Sequence, residues 1–511
     1  MKWFVLFAII SGFFHWFGGL FYRLLKYLLP SVAKKWDSCQ PPCKKISINL
    51  VIGLGIMMVI IFFQDLPWLI EAEDASMDWM MELNQKIIPS KAGKNIPAFV
   101  FLDVDDKTYH SWGEPLFTPR DRLKNMIETS IAAKPRLVLV DIDVSQPTPV
   151  VDEASLHPND QILKDYLENY ATECKRKTDG SSCPPIILAR AFQVNVQPDK
   201  PSYPIPRTGF LEEVVANGAP YLQWASAHFF HAEDQVIRRW MLWQPACTID
   251  KQPIVAPSFE LAVMANIQQG CSVANMQDEL SKFRPKDCDN VVDDKEVKSE
   301  VKICSLITST DIRNINQRVN YKIPWLPAND GLGESDTLVT QADEPVLTIF
   351  SAEHFATLPS QVTQENLEKL MGSIVVIGGS YLDARDVHLT PLEEMPGALI
   401  IINAIHSLLT LDEGTIQPLN IYLRLLIMAI LIVIMSILLI KFDSAWGKMI
   451  SGVSLILILL LPAILLYEQG IWMDYTIPLL IVQLYQIMND FEEMRQMRKK
   501  RRLSDVSSNK S

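Results

Sequence analysis

The chain of 511 residues is long enough for two or three ordinary domains, and its mean hydropathy is positive although 21 % of its residues are charged. The apolar and charged residues must therefore be segregated along the chain. Long apolar runs lie near both termini, while the acidic surplus behind the formal charge of -12 lies in the middle, which argues against a nucleic-acid partner.

Residues 1–30 form the first distinct segment. Within it, residues 3–22 are apolar and aromatic but contain a histidine and three glycines, which predicts either a membrane span or an interfacial helix. A cleaved signal peptide is disfavoured because no small-x-small site precedes the basic stretch that follows. That stretch, residues 31–46, contains Cys39 and Cys43, but no second Cys or His pair follows to complete a metal site.

Four further segments have the composition of a membrane-spanning helix. About 20 mostly apolar residues are needed to cross the hydrocarbon core of a bilayer. The segments are residues 47–63, 418–440, 449–467 and 472–489. Short linkers separate the last three, which predicts a helical hairpin followed by a return pass.

The basic residues that flank these segments set their orientation. Lysine and arginine are concentrated before the first span and in the tail after the last one, residues 490–511. By the positive-inside rule both flanks are cytoplasmic, so residues 66–416 are extracytoplasmic. This pattern predicts a multi-pass protein of the bacterial inner membrane whose basic tail contacts lipid headgroups.

The remaining six cysteines all lie in the predicted extracytoplasmic segment. They are Cys174, Cys183, Cys247, Cys271, Cys288 and Cys304. An even number in an oxidising compartment favours disulfides, although buried free thiols would give the same sequence, and six cysteines allow fifteen connectivities. The short separation of Cys174 and Cys183 makes this pair the most plausible one.

Four apolar runs of strand length occur in the same segment, at residues 98–105, 136–144, 185–190 and 373–379. Their apolar residues are continuous rather than alternating, which is typical of strands buried on both faces of a sheet. We therefore predict an α/β domain with a mixed sheet flanked by helices, joined to α-helical transmembrane segments.

Three helices are predicted between and after these strands. The first lies between Pro119 and Pro135, where apolar residues recur at helical spacing. The others cover residues 257–267 and 397–410. Residues 270–302 are polar and rich in Asp and Lys, which predicts an insertion or a long loop.

Several short motifs follow one another in a specific order. They are FVFLDVDD, Trp112-Gly113, Pro119-Arg120, LVLVDIDV, Arg238-Arg239, Pro257-Ser258 and the closing block GSIVVIGGSYLDARDVHLTPLEEMPGALIIINAI. This order resembles the CHASE domain, type 2, the cyclase/histidine-kinase-associated sensing extracellular domain of bacterial transmembrane receptors. The resemblance covers about residues 68–415 and implies a sensory function outside the cytoplasm.

A ligand crevice is predicted where the ends of two strands approach the loop from Gly378 to Thr390. Open α/β sheets place ligands at the carboxyl ends of their strands, where backbone amides and carboxylates converge. The candidate ligand-binding residues are Asp105, Arg120, Asp141, Asp143, Gly378, Gly379, Asp386 and Thr390. Their carboxylates suit a cation or a basic ligand. The alternative is structural, with Asp105 and Asp143 capping turns or pairing with arginines.

Two other chemical interpretations are disfavoured. A strand ending in Asp103-x-Asp105 is how haloacid-dehalogenase-like phosphatases present a nucleophile and an acid, but Lys107 departs from that pattern and a magnesium-binding Gly-Asp pair is lacking. His228 and His231 have the spacing of one helical turn, yet two histidines alone rarely indicate a metal site. We therefore predict no catalytic residues, no cofactor and no metal site.

The sequence thus predicts a membrane-anchored sensory protein without an output enzyme. Proteins of the resembling type usually continue after the last span into a cyclase or kinase, whereas 22 residues follow Asn489 here. The expected partners are membrane lipids, an extracytoplasmic ligand or protein, and a separate signalling or envelope protein, while a homo-oligomer is left open. A structural scaffold of an envelope complex is the alternative, and an extracytoplasmic hydrolase is less favoured.

Overall fold

The computed structural model describes residues 66–87, 90–91, 96–150, 155–177, 183–193, 202–288, 300–311, 313–325, 332–334, 338–339, 345–357, 360, 362–411, 415–441 and 459–473, together with residues 27, 58 and 62. The chain divides into two compact units, one formed by residues 78–416 and the other by residues 1–77 and 417–511. The functional argument concerns the first of these, called the large unit below.

The strands, in chain order, are β1 (Ser90–Lys91), β2 (Phe99–Val104), β3 (Leu137–Val140), β4 (Ile186–Ala189), β5 (Phe192–Gln193), β6 (Ile205–Pro206), β7 (Leu222–Ala225), β8 (Phe229–His231), β9 (Ile237–Trp240), β10 (Trp243–Cys247), β11 (Pro253–Pro257), β12 (Val301–Ile303), β13 (Leu306–Thr308), β14 (Leu332–Glu334), β15 (Leu338–Val339), β16 (Leu347–Ser351), β17 (Ile374–Gly379), β18 (Val387–Thr390), β19 (Glu393–Pro396), β20 (Gln417–Pro418) and β21 (Ile471–Trp472).

The α-helices are α1 (Pro67–Ile87), α2 (Asp106–Ser111), α3 (Arg120–Ala132), α4 (Pro158–Arg176), α5 (Glu212–Gly218), α6 (Phe259–Ile267), α7 (Val273–Leu280), α8 (Gln364–Leu370), α9 (Gly397–Thr410) and α10 (Ile421–Lys441). Residues 459–468 are also helical. Single turns of 3-10 helix occur at Ser281–Phe283, Ile315–Gln317, Ala352–His354 and Leu382–Ala384.

A seven-stranded sheet forms the centre of the large unit, in the order β14-β16-β2-β17-β3-β4-β7. Each strand is parallel to its neighbours except β14, which is antiparallel to β16. The prediction of a mixed sheet flanked by helices is therefore confirmed. The four predicted runs form β2, β3, β4 and β17, although β3 ends at Val140 and leaves both following aspartates outside the strand.

The two faces of this sheet are both covered, which explains the continuous apolar runs. One face packs with α3, α4 and α5 into a core to which the strands contribute Val100, Leu102, Val138, Val140, Ile186, Leu188, Val375 and Ile377. Alternate residues such as Phe99 and Phe101 are buried on the other face, where α9 packs on β2 and β17 and α6 packs on α9. Burial of each such side chain contributes about 2 kcal/mol to folding.

The polar region at residues 270–302, predicted to be an insertion or a long loop, contains the helix α7. Ser272 caps this helix by accepting a hydrogen bond from the backbone N–H of Asn275 at 3.1 Å. Met276 and Leu280, four residues apart on one face, are buried. Two apolar residues at helical spacing are enough to hold a short helix whose remaining surface is polar.

Three disulfides join the six cysteines of the large unit. Cys174 pairs with Cys183, which confirms the predicted pair. The other two bonds join Cys247 to Cys288 and Cys271 to Cys304, and they lie on either side of α7. The sequence alone did not determine these two pairings, because six cysteines allow fifteen connectivities.

The predicted membrane segments are only partly described. Of the segment predicted to span at residues 418–440, Ile421–Lys441 form helix α10, while Pro418 belongs to β20. Residues 1–63, 442–458 and 474–511 lie outside the described residues except for three single positions, so the predictions made on them are not examined by the structure. Within the described ranges, no helix combines the length and the apolar composition needed to cross a membrane.

Candidate functional site

The carboxyl ends of β2, β3 and β17 lie side by side and bring several predicted residues together. Asp103 of β2 is paired in register with Gly378 of β17. On the other side of β17, the backbone N–H of Asp141 donates to the carbonyl oxygen of Ile377 at 2.8 Å. The strand ends thus form one continuous edge, as the parallel arrangement requires.

Two glycines allow α9 to approach this edge closely. A Cβ atom on Gly378 would lie 2.7 Å from the Cβ of Ala398, and a Cβ on Gly397 would lie 2.6 Å from Asp386 Oδ2. The backbone N–H of Gly397 also donates to the carbonyl oxygen of Asp386 at 2.9 Å. Asp386 is consequently held against the first residue of α9. A side chain at Gly397 would force Asp386 away from α9, and one at Gly378 would force α9 away from β17.

Three carboxyl groups lie close enough at this point for their charges to interact. Burial raises the pKa of Asp141 well above its usual value, and the negative charges of Asp386 and Glu260 raise it further. Glu260 lies in the first turn of α6, is 2 % exposed, and has a pKa raised by burial to about 7. Its Oε2 atom has no hydrogen-bond partner among the described residues. We call Asp141, Glu260 and Asp386 the acidic crevice.

A fourth carboxyl group, that of Asp103, is buried in the same edge. Ser380 Oγ donates to its Oδ2 at 2.7 Å, while its Oδ1 has no partner among the described residues. Burial raises the pKa of Asp103 to about 7, and the nearby Asp105 and Asp106 carboxylates add to the shift.

Two histidines stand at the rim of the acidic crevice. His388 Nε2 lies 2.9 Å from Asp386 Oδ1, and the His388 and His231 rings are 5.7 Å apart between centroids. His228 and His231 do not share a helical turn, because Phe229–His231 form strand β8, paired with β9. Among the described residues, no group of three or more His, Cys, Asp or Glu side chains is placed to hold a metal ion.

Other candidate residues have local structural contacts instead. Arg120 is buried and donates from Nη2 to the carbonyl oxygens of Asp143 and Gln146, at 3.0 and 3.3 Å. Asp143 Oδ1 accepts from the backbone N–H and hydroxyl of Ser145. Asp105 caps α2 by accepting from the backbone N–H of Thr108 at 2.7 Å. These contacts match the structural alternative for Asp105 and Asp143.

The remaining two candidates lie at turns. Thr390 ends β18, and its hydroxyl donates to the carbonyl oxygen of Glu393 across the hairpin to β19. Gly379 ends β17, where a Cβ atom would lie 3.0 Å from the ring of Tyr381. Both residues shape the loop that carries Asp386, and neither contributes an ionisable group to the acidic crevice.

Sequence reasoning did not select Glu260 or His388 as site residues. Glu260 is the single charged residue in the apolar run SFELAVMANI, and a charge inside such a run is a usable signal. His388 follows Asp386 by two residues, the spacing that places side chains on the same face of an extended segment. Neither sequence feature predicts which part of the sheet Glu260 or His388 lies next to.

Comparison with known proteins adds a family assignment. No curated protein and no solved structure matches the chain. The family model of the CHASE2 domain matches residues 53–440, which is most of the chain and includes the whole sheet, the three disulfides and the acidic crevice. The chain therefore belongs to the CHASE2 domain family, a family of extracellular sensory domains.

Proposed function

We propose that this protein is a membrane-anchored sensor that binds a small organic cation at the acidic crevice and signals to a separate partner protein. The observation that carries the proposal is the convergence of Asp141, Glu260 and Asp386. Within the described residues, neither Asp141 nor Glu260 forms an ion pair. Adjacent carboxylates with little solvent disfavour ionisation, and a cation placed between them would reverse that cost.

An organic cation suits this arrangement better than a metal ion. Among the described residues, these carboxyl groups are not placed to surround one metal ion. Ammonium and guanidinium groups direct several N–H donors over a wider area and pair well with separated carboxylates. Asp141 and Asp386 are partly exposed, so they provide the accessible part of the crevice, while Glu260 is buried.

The contacts of α9 suggest how binding would be transmitted. Asp386 touches the start of α9, and Ser407 farther along this helix accepts from the backbone N–H of Asn320 at 3.1 Å. Two residues earlier, Arg318 donates to Asp78 of α1 at 2.5 Å. A shift of α9 on binding would therefore reach α1, the helix that follows the first predicted span.

The ligand proposal is tested by thermal unfolding of the full chain in detergent. Cadaverine and agmatine serve as cationic probes, and 1,5-pentanediol as the uncharged analogue of cadaverine. We expect at least one cation, but not the diol, to raise the unfolding temperature. Asp386→Asn should abolish the shift, while Asp383→Asn, an exposed carboxylate in the same loop, should retain it. Equal shifts in both variants, or none from either cation, would overturn the proposal.

The membrane arrangement is tested with reporter fusions. A reporter active only in the cytoplasm should be active after Lys510 and inactive within residues 285–300, because the basic flanks favour a cytoplasmic location for both ends. The reverse pattern contradicts the proposed topology. Purification of the intact protein from detergent, with identification of copurifying proteins, then separates the alternatives: a kinase or cyclase supports the sensor, and envelope proteins alone support a scaffold.

A further inference from the structure

A second cavity lies at the edge of the seven-stranded sheet and shares no residue with the acidic crevice. Its volume is about 560 Å³, within the range of about 300–1,000 Å³ typical of small-molecule sites. The edge strand β7 forms its floor, and α5 and α7 form its walls. We call it the β7 cavity.

The lining of the β7 cavity is apolar and aromatic with one charged end. Trp224, Met276, Pro220 and Pro257 supply flat or polarisable surface, of the kind that packs well on aromatic rings. Arg190 lies over the Trp224 ring, with its guanidinium carbon 4.4 Å from the ring centroid. The indole is thereby held in place by a side chain that itself lines the cavity.

The charged end of the cavity is electrically balanced. Arg190 donates from both Nη atoms to the two carboxylate oxygens of Glu212, with 2.9 Å between Nη2 and Oε2. This bidentate pair leaves no net charge in the lining. A charged ligand would have to separate the pair or leave its own charge uncompensated, so the lining favours an uncharged one.

The wall formed by α7 is fixed at both ends. Cys271, directly before the capping residue Ser272, is bonded to Cys304, and Cys288, beyond the helix, is bonded to Cys247. These covalent bonds limit how far the segment that carries α7 can move. A preformed cavity binds with a smaller loss of conformational entropy than one that must be ordered.

We propose that the β7 cavity is a binding site for an uncharged aromatic small molecule. The aromatic ring lies among Trp224, Met276 and the two prolines, and a polar substituent is directed to the Gln277 side of the opening. This site is independent of the acidic crevice, because none of its lining residues belongs to that crevice.

The test uses the full chain in detergent, with indole as the probe and ligand-observed NMR as the measurement. Ala274→Trp on α7 fills the cavity with a side chain, and Asn275→Trp places the same side chain on the neighbouring exposed position outside the lining. We expect saturable binding of indole to the native protein and to Asn275→Trp, and binding at least about ten-fold weaker to Ala274→Trp.

A second cavity-filling variant and two charged probes complete the test. Ala216→Trp on α5 fills the cavity from the opposite wall, with Asn217→Trp as its control, so that a folding defect in one variant does not decide the outcome. Tryptamine and indole-3-acetate add a positive or negative charge to the probe, and both should bind more weakly than indole. Undiminished binding in both cavity-filling variants, or a preference for either charged analogue, would overturn the proposal.

Discussion

The side-chain amide of Asn403 forms a reciprocal pair of hydrogen bonds with the backbone of Ile323. Asn403 Oδ1 accepts from the backbone N–H of Ile323 at 2.9 Å, and Nδ2 donates to the carbonyl oxygen of Ile323, also at 2.9 Å. Oδ1 also accepts from the backbone N–H of Lys322 at 3.0 Å. The fully buried Asn403 amide on α9 therefore satisfies backbone groups of Lys322 and Ile323 that a neighbouring strand would otherwise pair with.

Asn403→Leu should destabilise the large unit strongly. Leucine has nearly the same volume, but it leaves two backbone N–H groups and one carbonyl without this partner, and each buried unpaired group costs about 1–3 kcal/mol. Ser407→Ala on the same helix removes a single such bond and is the matched control. We expect Asn403→Leu to lower the urea midpoint by at least twice as much as the control does, and equal effects would contradict the account.

Asp78 should be a second point of high sensitivity. Its carboxylate accepts from Arg238 Nε at 2.8 Å and from Arg318 Nη2 at 2.5 Å, and both arginines are buried. Asp78→Ala removes a carboxylate shared by two buried guanidinium groups, although Arg238 keeps its pair with Asp234, and the change should lower the free energy of unfolding by about 3 kcal/mol. Glu71→Ala, an exposed carboxylate on the same helix, should change it by less than about 0.5 kcal/mol. Denaturant unfolding in detergent measures both.

Stability should fall as the pH rises through neutrality. The pKa values of Asp103 and Glu260 are raised to about 7, above those of the unfolded chain, so both groups favour folding when protonated. The stabilisation is complete below about pH 4 and is lost as the pH approaches and passes 7. The stabilisation lost when Asp103 ionises should amount to about 4 kcal/mol at most.

The variant Asp103→Asn isolates this pH dependence. It keeps an acceptor for the Ser380 hydroxyl but cannot ionise. We expect the decline of the unfolding temperature between about pH 5 and pH 8 to become shallower, while Asp278→Asn, which alters an exposed carboxylate on α7, leaves it unchanged. An unaltered slope in Asp103→Asn would show that this carboxyl group does not titrate in the folded protein near pH 7.

The disulfides should differ in their contribution to stability. The Cys247–Cys288 bond closes a loop of 41 residues, and the Cys174–Cys183 bond one of 9. Loop-closure entropy gives about 4 kcal/mol for the longer loop and about 3 kcal/mol for the shorter. We therefore expect Cys247→Ala/Cys288→Ala to lower the unfolding temperature more than Cys174→Ala/Cys183→Ala. Alkylation of all six cysteines of the large unit in the unreduced native protein would refute the pairing itself.

The sheet and its main helices were predictable because their buried residues are apolar and recur at the spacing of a strand or a helix. The apolar run at residues 373–379 forms β17 at Ile374–Gly379, and residues 397–410 form α9 with the same limits. The insertion of β17 between β2 and β3 was not predictable, because a strand buried on both faces has the same composition whatever its neighbours are. The correct pairing depends on contacts between distant residues.

The candidate site was predictable only in part, for the same reason. Asp141 directly follows β3, and Asp386 directly precedes β18 in the loop after β17. Their convergence at one edge of the sheet could therefore be expected. Glu260 reaches them only because α6 packs on α9, a helix more than 130 residues later in the chain. Asp143 lies two residues from Asp141, yet it is directed toward Ser145 and Arg207 instead. Local pattern does not distinguish these two aspartates.

The two disulfides on either side of α7 are interleaved in the chain. Cys271 lies between Cys247 and Cys288, and Cys288 lies between Cys271 and Cys304. Hydrolysis of any one peptide bond between Cys247 and Cys304 therefore leaves the two fragments covalently joined. A protease that nicks this region once releases nothing: the protein keeps its full mass on a non-reducing gel and separates into two bands after reduction. Such a nick would leave α9 and the rest of the chain after it attached to β2, β3, β4 and β7.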